Sequence, residues 1–335
     1  MEQSCVWPSK TTVRSRSCSR RTTGRPVSEG RRGLLPYLAI GGLALIWGVS
    51  FLFIKVAVHD MSPIALVLIR SASGCAALAV IVRAMGRPLF GEGWRRRIIP
   101  FALLGITGGL LPWVLIAWGE ERISSGLASI LNSTTPLWTA VLVYWIIPSD
   151  RPSALNYAGV LIGLAGVVIL VVPDLTARGF GGNAVGALAV VLASLSYAVN
   201  ALYQRRKLRG VTVYEVALGQ LVATALFAIP FAAPTLPSVH VALPSMAAVV
   251  ALGVGGSAIG LLLYFYILNT LGPVQATGVT LLVPVTAVIW GVLLLREVVN
   301  PPIIIGMVVI LTGIVLTNVR ARKAKQVSEK EPAAA

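Results

Sequence analysis

Acidic residues are scarce in this chain. Twelve Asp and Glu stand against 28 Lys and Arg in 335 residues, and only 12% of residues are charged. A soluble globular domain carries about 25% charge, so the usual water-exposed surface is excluded. Cysteine is limited to Cys5, Cys18 and Cys75, an odd number without a C-x-x-C spacing. That gives no basis for a disulfide framework or a zinc site. Histidine is limited to His59 and His240, and neither H-E-x-x-H nor G-x-S-x-G occurs. An intramembrane enzyme would need a nucleophile–base pair, a metal cluster or paired acids in its apolar blocks. None is legible, so no catalytic residue, no metal and no cofactor is expected. No carboxylate falls deep in an apolar block either. Asp60, Glu120, Glu121, Asp174 and Glu297 read as outer ends, and Asp150 and Glu215 as inner ends. Proton-coupled transporters often use a membrane-embedded acid. Its absence predicts downhill transport, or coupling through an end-of-helix acid such as Glu215.

Apolar residues fill the chain instead. They make up 56% of it, the mean hydropathy is +0.83, and they come in long blocks. About 20 apolar residues cross a bilayer. Ten blocks meet that length: 34–57, 63–83, 98–118, 122–147, 155–173, 184–204, 213–234, 244–268, 273–295 and 300–319. The expected fold class is therefore all-α integral membrane. The net charge of +16 would point to nucleic acid in a soluble protein. Here it sits in short segments between apolar blocks, so the lipid bilayer is the expected partner and nucleic acid is not. Residues 1–33 form a basic, Ser- and Thr-rich arm, read as disordered and cytoplasmic, although its composition also resembles a transit peptide. Residues 320–335 form a charged cytoplasmic tail, read as unstructured.

The positive-inside rule sets the orientation. With the N-terminus in the cytoplasm and ten spans, nearly every Lys and Arg falls on the inner side. The exceptions are Arg122, Arg178 and Arg296 in outer loops and Lys55 and Arg70 within spans. Both termini are then cytoplasmic, in a multi-pass protein of the cell membrane.

Two stretches are near copies: Leu127–Ile147 and Gln275–Leu295. A shift of 148 residues lays Pro136 on Pro284, Asn132 on Thr280, Gly105 on Gly253 and Gly108 on Gly256. A one-residue slip then lays Gly159 on Gly306 and Gly166 on Gly313. Residues 34–173 and 184–319 thus read as two five-helix repeats. Five is odd, so the second copy enters the membrane from the opposite side. That is the inverted repeat of many secondary transporters, which bind substrate near the midplane. Two matches to the G-x-G-x-x-A dinucleotide pattern, at Gly179 and Gly253, follow no strand and carry no such meaning.

These features resemble the EamA branch of the drug/metabolite transporter superfamily. The residues that carry the resemblance are Trp47-Gly48-x-x-Phe51-x-x-x-Lys55, Arg70, the Pro136 and Pro284 helices, Glu297 after a Leu-rich run, and the glycines at 159, 163, 166, 306 and 313. The first half departs from the pattern, with Pro148-Ser149-Asp150 where the family carries Glu. The resemblance implies movement of small metabolites, often amino acids and frequently outward.

Polar groups inside spans are the candidate substrate pathway. Arg70, about two turns into its helix, suits a bidentate contact with a carboxylate; Lys55, nearer the outer end, is able to snorkel. With them the reading places Trp47, Ser50, Trp118, Asn132, Pro136, Thr139, Tyr197, Asn200, Gln220, Tyr264, Thr280 and Pro284. Glu215 and Glu297 are candidate gate or coupling acids. Each polar residue has a structural alternative, an interhelical hydrogen bond of about 1 kcal/mol or less. The expected function is secondary transport, in the export direction, by alternating access. The expected substrate is a small anionic or zwitterionic molecule, and a homodimer stays open. The alternatives are a channel, a non-transporting receptor, or efflux of drugs or cations.

Overall fold

The computed structural model describes residues 34–146, 154–178, 183–235, 242–271 and 273–330. The basic arm, the Pro148-Ser149-Asp150 segment and His240 lie outside them. The regular structure of the described residues is all helical, with no strand. The helices are α1 (Leu35–Ala57), α2 (Pro63–Ala84), α3 (Ile98–Gly105), α4 (Leu111–Glu120), α5 (Ser125–Asn132), α6 (Thr135–Ile146) and α7 (Ala154–Arg178). They continue with α8 (Asn183–Lys207), α9 (Val213–Ala232), α10 (Leu243–Ala251), α11 (Gly260–Leu271), α12 (Pro273–Leu295) and α13 (Pro301–Lys330). Residues 320–330, expected to be unstructured, continue α13.

Among the described residues eight helical spans are long and apolar enough to cross a membrane, counting α3–α4, α5–α6 and α10–α11 as single spans. Two shorter apolar helices, Val279–Leu295 and Pro301–Thr317, follow. Large apolar side chains such as Val80, Leu161 and Leu293 are exposed on the outside of the bundle, as a lipid-facing surface requires.

Helix starts follow local chemistry. Ser62 caps α2 by accepting from the Ala65 amide, and Pro63 opens the helix where its missing N–H costs nothing. Ser124 caps α5 through the Leu127 amide.

Two spans contain a wide π turn, Ile106–Leu110 between α3 and α4 and Leu252–Ile259 between α10 and α11. Both fall on the same register of the two sequence copies. A π turn leaves carbonyls without their usual partners, and lateral donors answer them. Ser196 donates to Thr107 O at 2.7 Å and Gln220 to Gly108 O at 3.1 Å. Trp47 Nε1 donates to Gly256 O at 3.2 Å.

The two proline stretches do not fold alike. The first copy breaks at Ser133–Thr134, and Pro136 falls in the first turn of α6. In the second copy, α12 runs unbroken with Pro284 inside it. The reason lies in the preceding residues. Ser133, Thr134 and Thr135 donate to the Ile130, Leu131 and Asn132 carbonyls. Ser194 of α8 adds bonds to Leu131 O and Asn132 O. A break in an apolar medium is tolerated only where such donors exist. The second copy has Leu281, Leu282 and Val283 at those places, and they donate nothing from their side chains.

Lipid tails are as apolar as the helix surfaces, so close packing of small residues holds the bundle together. The α7–α13 seam is the clearest case. A Cβ on Gly313 would sit 2.5 Å from Gly163 N and 2.6 Å from Gly159 O. Buried Asn156 donates to Thr317 O across the same seam. The atoms in the way are backbone, so neither helix yields without moving. Gly313→Val is expected to cost about 3 kcal/mol or more, at the upper end of overpacking penalties. It should lower the melting temperature of the detergent-solubilised protein by several degrees. An unchanged melting temperature would show that the seam is looser than described.

Candidate functional site

The helices enclose a cavity of about 920 Å³. Its walls come from α1, α2, the first π turn with α4, α5 and the start of α6, α8, α9, the second π turn with α11, and α12. Of the sequence candidates, nine line it: Trp47, Ser50, Arg70, Asn132, Pro136, Tyr197, Gln220, Tyr264 and Thr280; Gln204 of α8 joins them. One end of the cavity is walled by Arg205 and Arg209, both exposed.

Arg70 is the charged group at the centre. Its guanidinium stacks on the Trp113 ring, 3.8 Å from the centroid, and Nε donates to Ser257 Oγ at 3.3 Å. Tyr197 stands beside both. The stack fixes the plane of the guanidinium without using its terminal nitrogens. No carboxylate forms an ion pair with it among the described residues. Opposite, Trp47 and Tyr264 stack with centroids 5.9 Å apart. Gly260 makes room for this pair, since a Cβ there would meet Trp47 Nε1 at 2.6 Å.

Two further wall atoms have no hydrogen-bond partner among the described residues, Asn132 Oδ1 and Ser129 Oγ. Ser129 is buried, and Asn132 ends α5 at the helix break. An arginine, an aromatic pair and unfilled polar acceptors therefore converge on one space. Among the described residues three arginines and no Asp or Glu line it.

Five candidates lie off this wall. Asn200 accepts a hydrogen bond from Thr107 Oγ1 at 3.2 Å and is packed against Gly108. Thr139 donates to Thr135 O within its own helix. Trp118 sits under the Arg122 guanidinium at the far end of α4, 3.9 Å from it. Pro284 is buried one residue beyond the cavity-lining Val283. Lys55 closes the end of the cavity instead of lining it.

At that end Lys55 Nζ donates to Glu120 O and to Ile123 O, the latter at 2.9 Å. Glu297 reaches the same turn from beyond α12. Its carboxylate accepts from the Ser125 amide at 2.7 Å and the Gly126 amide at 3.2 Å. Negative charge at a helix start is favourable, so Glu297 caps α5 from another helix. The α4–α5 turn is thus gripped from two sides, and its own Ile123, with Ile54 and Ile116, is buried. A shallower groove of about 490 Å³ lies beyond, walled by Lys55, His59, Asp60, Ser245 and Glu297. The Ser245 hydroxyl, with His59 adding to it, holds the Asp60 carboxyl below its ordinary range. Glu215, the other candidate acid, is buried at the opposite end of the bundle. It forms an ion pair with Arg97 at 3.1 Å.

Glu120 differs from its expected place. It was expected at a watery helix end, yet it is fully buried. The signal was present in the sequence. Trp113, Ile116, Ala117 and Glu120 follow the i, i+3, i+4, i+7 spacing of one helix face, and all four are buried. Among the described residues no group of His, Cys, Asp and Glu is arranged to hold a metal.

The EamA-like transporter family matches residues 34–172 and 184–319. A relative described as an uncharacterized inner membrane transporter, YedA of Escherichia coli strain K12, is 28% identical, covering 78% of this chain and 83% of its own. A probable terminal-alkyne amino-acid exporter of Streptantibioticus cattleyicolor is also 28% identical, covering 82% of this chain and 90% of its own. A solved crystal structure at 23% identity superposes with a TM-score of 0.61, covering 87% of this chain and 99% of that one, and so shares its fold.

Proposed function

The chain belongs to the EamA-like transporter family, and from that premise we propose that it exports a small anionic or zwitterionic metabolite, such as an amino acid, by alternating access. It is a multi-pass membrane protein, and the family assigns it a general transporter role. The finer reading rests chiefly on one observation. Among the described residues the central cavity is lined by Arg70, Arg205 and Arg209 and by no acid. A lipophilic cation entering it would meet only positive charge. A carboxylate would find the terminal nitrogens of a guanidinium already oriented by Trp113.

Two further features support an anion. The N-terminal end of α6, with Thr135 and Pro136, reaches the cavity wall, and a helix N-terminus favours negative charge. Half-helices ending at the midplane serve this purpose in other transporters. For a zwitterion, the ammonium group has acceptors in Asn132 Oδ1 and Ser129 Oγ and the faces of the Trp47–Tyr264 pair. The relative named as a probable amino-acid exporter agrees with this chemistry.

In this reading ten spans form two inverted repeats, residues 34–173 and 184–319, with both termini cytoplasmic. The cavity mouth at Arg205 and Arg209 then faces the cytoplasm, and the Lys55–Glu297 grip closes the outer end. The enclosed state is inward-facing. Rocking of the two halves carries substrate across. No catalytic step is involved.

Counterflow in proteoliposomes tests the reading against a panel of amino acids, sugars and cationic dyes. Amino acids are expected to exchange. Movement of cationic dyes with no movement of amino acids would overturn the substrate assignment.

A further inference from the structure

Glu120 is the buried titratable group that the transport scheme above leaves unused. Neither carboxylate oxygen has a hydrogen-bond partner among the described residues, and the side chain is fully buried. An ionised carboxylate in such a place is costly unless it is paired. Lys55, whose charge acts on it, does not pair with it. Lys55 directs its hydrogen bonds to the backbone carbonyls of Glu120 and Ile123, and among the described residues no ion pair to the Glu120 carboxylate forms.

The elements around α4 are α1, α2, α5 and α8. They bring Lys55 from α1, Arg70 from α2 and Tyr197 from α8, while α5 contributes no charge. Glu297 approaches from beyond α12 and is engaged with the Ser125 and Gly126 amides. A second carboxylate nearby adds to the cost of ionising the first. Glu121 is turned outward onto Arg122, at 2.9 Å.

The position matters as much as the burial. Ile116, one turn before Glu120, lines the central cavity. Lys55 and Glu297, which grip the turn that begins at Glu120, line the groove on the other side. Glu120 therefore stands in the partition between the two spaces. Whichever way the partition opens, water reaches this carboxyl first from one side or the other.

We propose that Glu120 is a proton-binding site that couples closure of the outer end to protonation. The carboxyl carries a proton while the α4–α5 turn is gripped and dry. It gives that proton to water when the turn is released and wetted. One O–H bond breaks at the carboxyl and one forms on water, with no redox partner. This inference rests on the alternating-access reading, because it needs an outer end that opens. It makes closure of the outer end depend on the pH of the water that reaches the carboxyl when the turn is released.

The test uses the full chain with its three cysteines replaced and spin labels on cysteines introduced at His59 and Asn183. These exposed positions lie on α1's outer end and at the start of α8, across the gripped turn. Replacing His59 also removes its own titration from the readout. Distances are measured in lipid nanodiscs over a range of pH. With Glu120 intact, the ratio of long to short distances is expected to rise about tenfold per pH unit over the window in which one proton is released. Glu120→Gln is expected to hold the short distance at every pH, and Glu120→Asp to restore the pH response. A response that persists in Glu120→Gln overturns the inference. So does a long-distance population in the unmodified protein that ignores pH. A single short distance in the unmodified protein, Glu120→Gln and Lys55→Met alike overturns the opening of the outer end itself, and with it the transport reading.

Discussion

Arg70→Ala is expected to weaken substrate binding about ten- to hundredfold. A hydrogen bond to a charged group is worth about 1.5–3 kcal/mol, and about 1.4 kcal/mol is a factor of ten. Arg70 is the cavity's central cation, and its plane is set by Trp113 and Ser257. Truncation removes both the charge and the partner of the Trp113 face. Arg70→Lys separates the two contributions. Lysine keeps a charge but loses the planar fork and the ring stack, so it should recover a minor part of the affinity. Concentration dependence of amino-acid counterflow measures both variants. The protein's fold gives a control, since Arg70 forms no ion pair among the described residues whose loss would strand a buried carboxylate. Amino-acid exchange that survives Arg70→Ala at full affinity would remove Arg70 from the substrate site.

The second large effect concerns conformation. Lys55→Met is expected to shift the protein toward an outward-open state. It keeps most of the side-chain length and removes both donors to the α4–α5 turn. The Glu120 and Ile123 carbonyls then lack the cation they face in the closed state. Hydrogen bonds from a charged donor contribute about 1.5–3 kcal/mol each, so even partial loss moves a two-state equilibrium by tenfold or more. The distance between labels at positions 59 and 183 reads this directly. Glu297→Ala should act in the same direction by removing the cap on α5. An N-cap is worth about 1 kcal/mol, so its shift is expected to be smaller. A Lys55→Met protein that stays closed would mean the buried isoleucines, not the grip, hold the outer end.

Together these effects divide the embedded charges by task. In sequence the two cations differ only in depth, Arg70 about two turns into its helix and Lys55 nearer the outer end. Arg70 meets the cavity because the π turn at Leu252–Ile259 and the small Gly253 let α2 approach closely; a Cβ at Gly253 would meet Arg70 O at 2.6 Å. Lys55 meets carbonyls because α4 ends where α1 ends. Neither fact is local.

Much of the site was legible all the same. Trp47, Ser50, Arg70 and Tyr197 all line the cavity, as polar groups in an apolar helix should. Asn200 was a candidate on the same helix as Tyr197, yet it is used by Thr107. Three residues separate it from Tyr197, and only the π turn opposite decides that one faces the cavity and the other a neighbouring helix. Glu120 read as the end of a span because Glu121 and Arg122 follow it; burial there depends on the turn folding back under Lys55 and Glu297.

The sequence by itself determined the apolar helices, their charged ends, the near-copy halves and the family. Those properties follow from hydropathy and spacing, which each segment carries alone and which a bilayer reads one helix at a time. Only the tertiary structure decided which polar side chain faces the cavity, which copy of the proline helix breaks, and which acid is dry. Each of those depends on a donor or a gap supplied by another helix. Ser194 of α8 supports the break at Ser133, and the turn beside Glu120 is held from α1 and from beyond α12. In an apolar medium an unmet polar group is too costly to leave to its own segment, so its fate is settled by its neighbours.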